Sequence, residues 1–233
     1  MSIEVRWLLA AGALLSAAWF GEGPQRIAAQ TPGTPVVAEL FTSEGCSSCP
    51  PADDVLSDLV LHQPVMGVEV LALAEHVDYW DRLGWRDRFS SAAVSARQSD
   101  YDARVFRASR VYTPQLVVDG QFELVGSDAA AVRQAIRRAA QMPKAAVRIG
   151  AATRLPDPRE ALVEVHVDVP ADLALRGTVD VLVAVAENNL TTDVRRGENG
   201  GRTIRHAAVV RSLTTIGALA PHDRAWSTTT AVP

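Results

Sequence analysis

The stretch "TPVVAELFTSEGCSSCPPADDVLSDLVLHQ", residues 34–63, holds both cysteines of a 233-residue chain and decides how the rest is read. The apolar, β-branched run from Val36 to Thr42 predicts a buried strand that breaks at Ser43 to Gly45. After Cys49 come Pro50 and Pro51, which a helix tolerates only in its first turn, and then Val55/Leu59 and Leu56/Val60 recur at helical spacing. Cys46 and Cys49 are therefore expected between a strand end and a helix start. Free N–H groups and the positive end of the helix dipole favour a thiolate there. Asp53 and Asp54 oppose that effect, so a lowered but not extreme cysteine pKa is expected. By itself a C-x-x-C admits three chemistries: a redox couple, a soft-metal grip or an inert staple.

The following segments extend the pattern. "VMGVEVLALAEH" (65–76) gives a second apolar strand, about Val68 to Ala74, one helix away from the first, which calls for a right-handed parallel crossover. Both strands then end on one edge of the sheet, with Glu75 and His76 near the cysteines. In "VYTPQLVVDGQFELVGSDAAAVRQAIRRAA" (111–140), Leu116–Val118 and Phe122–Val125 flank the hairpin turn Asp119-Gly120. A helix follows from about Asp128, with Ser127 as N-cap and Val132, Ala135, Ile136 and Ala139 inward. The order β-α-β, then β-β-α, is that of a thioredoxin fold.

The motifs "VVAELFTSEGCSSCPPAD" (36–53), "HVDYWDRLGWRDRFS" (76–90), "VYTPQLVVDG" (111–120) and "RGENGGRTIRHAAVVR" (196–211) together resemble the bacterial secreted family catalogued as domain of unknown function 1223, described as thioredoxin-like. The similarity runs from about Val36 to Gly217. It implies that Thr113-Pro114 is the cis-proline loop that faces the C-x-x-C and pairs with a substrate chain. The end, "APHDRAWSTTTAVP" (220–233), reads as a polar tail where further strand is expected of the family.

The fold class expected is α/β: a thioredoxin-like fold over 36–141 with a helical insertion at about 75–112, followed by a small antiparallel, sandwich-like β domain over 145–233. The second domain is read from the alternating segments 145–155, 160–169, 178–188 and 202–213, and Asn199-Gly200 reads as a turn. Glu39 interrupts an apolar strand on the face of Val37 and Phe41. It is either a buried acid that moves protons beneath the dithiol or the partner of an arginine. His76 is a candidate proton acceptor for Cys46, a metal ligand or a satisfied polar residue. Tyr79, Trp80, Trp85 and Phe89 either wall a substrate groove or form the insertion's own core.

Composition narrows the partners. The formal net charge is −4, arginines are scattered without a basic run, and Lys144 is the only lysine. Nucleic acid is thus not expected, nor is Schiff-base or phosphate-gripping lysine chemistry, and no cofactor is expected. At the N-terminus, Trp7 to Phe20 forms an apolar run of secretory length behind Arg6, too short to span a bilayer, so residues 1–29 read as a signal peptide and 30–35 as a linker. Export places the dithiol in an oxidising compartment, without a stable membrane anchor after cleavage. The reading that joins these features is a periplasmic or secreted thiol-disulfide oxidoreductase acting on protein thiols or disulfides. Its catalytic set is Cys46, Cys49, Thr113, Pro114, Glu39 and His76, with Cys46 as attacking and Cys49 as resolving thiol. The alternatives are a Cu(I) binder using both thiolates and His76, and a scaffold with a structural disulfide; two cysteines are too few for a conventional zinc site. N-terminal sequencing of protein from the cell envelope is expected to begin near Gln30; a surviving Met1 would refute cleavage.

Overall fold

Strand β1 (Thr34–Thr42) is the spine of the molecule because both its faces are covered. Val36, Ala38 and Leu40 are buried in one apolar cluster, while Phe41 is buried in a second on the opposite face. Such double burial accounts for a near-continuous apolar run in place of strict alternation. Helix α1 (Pro50–His62) starts with Pro50 and Pro51 and presses Ala52, Leu56 and Leu59 onto the first cluster. It returns the chain to β2 (Val68–His76), which pairs parallel with β1 from Thr34↔Val68 to Thr42↔His76. The computed structural model describes residues 33–108, 110–157 and 160–232, so the expected signal peptide lies outside the described residues. Strand β1 begins at Thr34, which leaves the expected linker shorter than 30–35, and β2 runs on through His76, so the insertion starts at 77 instead of 75.

That insertion comprises a 3-10 turn at Asp81–Leu83, helix α2 (Ala92–Asp100) capped by Ser91, and a π-helical turn at Tyr101–Phe106. It covers the Phe41 face. Strands β3 (Gln115–Val118) and β4 (Phe122–Val125) form the expected hairpin, β3 lying antiparallel to β1. Asp119 and Gly120 both have positive φ, 47° and 64°, the backbone that Asp-Gly turns supply. Helix α3 (Ala129–Ala139) buries Val132, Ala135, Ile136 and Ala139 as its spacing predicts. Its N-cap is Asp128, not Ser127, because the Asp128 carboxylate accepts from the N–H groups of both Ala130 and Ala131.

After α3 the chain turns to strand: β5 (Ala146–Ile149), β6 (Thr153–Arg154), β7 (Ala161–Asp168), β8 (Val179–Glu187), β9 (Leu190–Asp193), β10 (Thr203–His206), β11 (Val209–Leu219) and β12 (Ala225–Val232). The boundary expected near 141–145 marks this change of element, but not a break in the fold. Strand β11 joins β2, through the bridge Val209↔Ala74 and the bond from Ala74 N–H to Ala208 O (2.7 Å), and β8 pairs with β11. One six-stranded sheet, β4-β3-β1-β2-β11-β8, therefore spans both halves, and the described residues of both belong to one compact unit. The periodicity could not reveal this, because alternation along a strand does not say which strand lies beside it.

The antiparallel character expected of the C-terminal half is present locally. A second sheet, β12-β7-β5 with β6 on β7, packs Val163, Val165, Val167 and Trp226 against Val181, Val183, Ile216 and Leu219 from the far ends of β8 and β11. The residues read as a polar tail are thus mostly β12, paired with β7 along its length, and their small polar alternation fits a strand with one face packed. Among the described residues no helix is long and apolar enough to cross a membrane. A Cβ on Gly217 would stand 2.2 Å from the Trp226 ring, inside any permissible contact. Gly217→Ala is therefore expected to cost about 1–3 kcal/mol, read as a lower urea midpoint.

Candidate functional site

The parallel pairing of β1 and β2 delivers Thr42 and His76 side by side at the same end of the sheet, and the turn from Ser43 to Cys46 follows directly. This turn is fully buried, although it carries a carboxylate and several backbone polar groups. Distant segments meet most of these groups, while Glu44 Oε1 accepts no hydrogen bond among the described residues. Glu44 N–H donates to Asp87 Oδ2 (2.9 Å), and Trp85 Nε1–H donates to Glu44 Oε2 (2.7 Å). His206 Nε2 lies 3.2 Å from Glu44 Oε1, an ion pair when that ring is protonated. Asn199, 0% exposed, donates through Nδ2 to the carbonyls of both Glu44 and Cys46, each at 2.9 Å, while its Oδ1 accepts from Arg202 (3.0 Å).

Cys46 and Cys49 form a disulfide, with Cys49 as the N-cap of α1. Thr113 Oγ1 accepts from Trp80 Nε1–H (2.8 Å) and donates to Cys46 Sγ (3.4 Å), and Ser48 Oγ lies 3.4 Å from the same sulfur. The Thr113-Pro114 peptide is cis, as the family resemblance implied. Gln98, fully buried on α2, fixes this loop by donating to Tyr112 O (2.7 Å) and Gln115 Oε1 (2.8 Å). The sequence reading made Cys46 the more accessible sulfur. Instead both cysteines are 0% exposed in the disulfide form, because the turn is enclosed by Trp80, the Thr113 loop and the segment around Asn199, while Ser47 and Ser48 take the outward positions. The asymmetry between the cysteines is chemical: Cys46 has two hydroxyls at its sulfur and stands ahead of the helix.

His76 does not bond to either cysteine. Its Nδ1 pairs with Asp87 Oδ2 at 2.6 Å, both residues buried, and its Nε2 has no hydrogen-bond partner among the described residues. Burial alone would lower the His76 pKa, but the bond and charge of Asp87, joined by Asp53 and Glu44, outweigh it and raise the value. Burial likewise pushes Asp87 upward, and the His76 bond and charge reverse this to leave it lowered. With Asp87 ionised, Nδ1 carries the proton of that bond. Phe89 and the rings of His76 and His206 meet edge to face at 5.2–5.4 Å. Among the described residues no group of three or more His, Cys, Asp or Glu side chains is arranged to hold a metal ion.

Glu39 lies on the other face of the sheet, where Arg97 Nε–H (2.7 Å) and Tyr101 OH (2.5 Å) donate to its carboxylate. This is the arginine-paired alternative of the two weighed from sequence. Glu75 lies 3.6 Å from Arg97, is fully buried and accepts no hydrogen bond from the described residues; burial, with Glu39 beside it, raises its pKa well above the usual carboxyl range. Of the aromatics read from sequence, two join the core of the insertion and two serve as hydrogen-bond donors. Tyr79 and Trp80 pack with the Phe41 cluster, Trp80 Nε1–H also donates to Thr113 Oγ1, and Trp85 Nε1–H donates to Glu44 in the turn before Cys46. Sequence reasoning took Asn199-Gly200 as a turn and missed Asn199 as a site residue; its only signal was its place in the "RGENGGR" motif.

The sequence matches the family described as Protein of unknown function (DUF1223) over residues 37–233, through the end read as a polar tail. The chain belongs to this family. A crystal structure of an Agrobacterium tumefaciens protein is similar to this DUF1223 chain with a TM-score of 0.62 and 30% identity, over 88% of this chain and 80% of that one. HBP35 of Porphyromonas gingivalis is similar in fold alone, with a TM-score of 0.64 and 16% identity, over 87% of this chain and 65% of that one. No curated protein sequence matches the DUF1223 chain.

Asp53 supplies a pH test of the site. It accepts from Thr42 Oγ1 (2.8 Å), and burial pushes its pKa from 3.8 to about 6 against the opposing effects of His76, Thr42 and His206. The folded protein therefore binds more protons than the unfolded chain between these values, and stability falls as pH rises from 3.8 to about 6. Asp53→Asn, which can still accept from Thr42, is expected to match the wild type below that window and to exceed it above pH 6 by up to about 3 kcal/mol. Urea unfolding as a function of pH measures the difference.

Proposed function

We propose that this protein is an exported thiol-disulfide oxidoreductase of thioredoxin-like fold, with Cys46–Cys49 as its redox couple and protein thiols or disulfides as its substrates. The observation that carries the reading is the placement of Cys46 Sγ. It stands ahead of the N-terminus of α1, within 3.4 Å of the hydroxyl of Thr113, the residue before Pro114. The order β1-α1-β2, then β3-β4-α3, with a C-x-x-C at the start of α1 and an X-Pro turn at the start of β3, supports the fold assignment. A hydroxyl donor and a helix N-terminus both favour the Cys46 thiolate.

In the oxidising direction a substrate thiolate attacks Cys46 Sγ. A mixed disulfide forms and Cys49 leaves as a thiolate. A second substrate thiolate then attacks the substrate sulfur and Cys46 leaves as a thiolate, so that the substrate gains a disulfide and the protein gains two electrons. In the reducing direction the Cys46 thiolate attacks a substrate disulfide and Cys49 resolves the product. Arg97 and Tyr101 already saturate Glu39, so its role here is to fix the insertion against β1, and His76 acts on the turn through Asp87.

Cys49→Ser is expected to accumulate mixed disulfides with partner proteins in the cell envelope, and Cys46→Ser almost none, as resolved by non-reducing electrophoresis. A staple would instead give no capture by either variant and a matched loss of stability, below the usual 2 to about 4 kcal/mol for so short a loop.

A further inference from the structure

The segment 194–202 comes from the far half of the chain and closes over the C-x-x-C turn. It hangs from β9 and β10, which among the described residues pair only with each other. Its neck is drawn together by Val194 N–H to Arg202 O (2.9 Å) and Gly201 N–H to Val194 O (2.8 Å). At its tip Gly197 has φ of 77° and fits against Trp85, where a Cβ would lie 3.1 Å from the Trp85 Cβ. Two residues then reach the turn. Asn199 bonds the carbonyls of Glu44 and Cys46, and the Glu198 carboxylate accepts from Ser47 N–H at 3.0 Å. These two contacts differ in weight, since the Glu198 bond is exposed and the Asn199 pair is buried.

Exchange requires a thiolate to reach a disulfide sulfur, and neither cysteine is exposed. Some part of the enclosure must therefore move before any thiol reacts. The Thr113 loop is the harder part to displace, being tied to α2 through Gln98 and built into the start of β3. Segment 194–202 hangs on a hairpin that packs against α1 but pairs with neither larger sheet, so its tip can lift without parting a strand of either.

We infer that segment 194–202 is a gate over the disulfide and that Asn199 is its latch, a positioning residue that sets how readily Cys46 is attacked. The gate regulates the site assigned above and takes its purpose from that assignment. Its existence is tested with a chemical thiol alone. Dithiothreitol attacks as a thiolate, forms a mixed disulfide as one cysteine leaves, and closes to its own ring as the other leaves. Two electrons and two protons pass to the cysteine pair.

The test is the rate of reduction by dithiothreitol well below the thermal midpoint, followed by maleimide trapping of the freed thiols. Asn199→Asp keeps the acceptor for Arg202 but loses both donors and sets a carboxylate against two carbonyl oxygens. Asn199→Ala removes the latch outright. Each is expected to speed reduction by about tenfold or more, the factor for the loss of two buried bonds. Arg202→Ala frees only Oδ1 and gives a smaller increase, which keeps the test open should the Asn199 variants fail to fold. Val165→Ala is the control: it weakens the separate apolar cluster around β7 and is expected to leave the rate unchanged.

Folded Asn199 and Arg202 variants that reduce at the wild-type rate would overturn the gate, as would an equal acceleration by Val165→Ala, which would mean that reduction passes through global unfolding. Accelerated reduction in the Asn199 variants combined with no partner capture by Cys49→Ser would leave the gate standing and remove the redox function. The reverse pair of results would do the opposite.

Discussion

A carboxylate buried in a turn is the constraint around which this molecule is organised. Glu44 is 1% exposed, between the end of β1 and the first cysteine, and a charge so placed is costly unless it is paired and hydrogen-bonded. No neighbour in sequence can meet that need. Trp85 comes from the insertion, His206 from β10, and Asp87 takes the residue's own N–H. Removing one partner would leave the charge partly unsatisfied, which is more damaging than removing an ordinary surface pair. The insertion and the C-terminal half are thus bound to the C-x-x-C turn by the same group.

The sheet divides the titratable residues into two sets. At the carboxyl ends of β1 and β2, His76, Asp87, Glu44, His206 and Asp53 surround the disulfide turn, and Asp87 is held ionised by His76. On the opposite face, Glu39 and Glu75 share Arg97, and Glu75 is driven towards its neutral form. The alternation of β1 separates them: Glu39 points with Phe41, away from the helix that carries Cys49. A buried acid in the first strand was therefore a real feature with a different employment. It anchors the insertion, and the insertion in turn carries the tryptophans and Gln98 that set the Thr113 loop.

Much of the first half was legible because its signals are local. Pro50 and Pro51 can stand together only at a helix start, Asp119-Gly120 supplies two positive φ angles at a hairpin, and the parallel step from β1 to β2 follows from one intervening helix. The C-terminal strands were recognisable by alternation, yet their neighbours were not. Nothing in "RTIRHAAVVRSL" announces that Val209 will pair with Ala74, or that the polar end of the chain will lie along β7. The N-cap slipped by one residue because Ser127 and Asp128 are both good caps and only the backbone decides between them.

The amino-acid sequence alone thus determined the place and local setting of the cysteine pair: two cysteines at a strand end, ahead of a proline-led helix, with Thr113-Pro114 at the start of a hairpin. These follow from backbone rules that act over a few residues. Tertiary structure alone decided that both sulfurs are enclosed, that Glu39 serves Arg97 and His76 serves Asp87, and that Asn199 clamps the turn from 153 residues away. An amide that donates twice to carbonyls can act anywhere in a fold. Its partners are set by which loops the sheet brings together, and that pairing leaves no periodic trace in the chain.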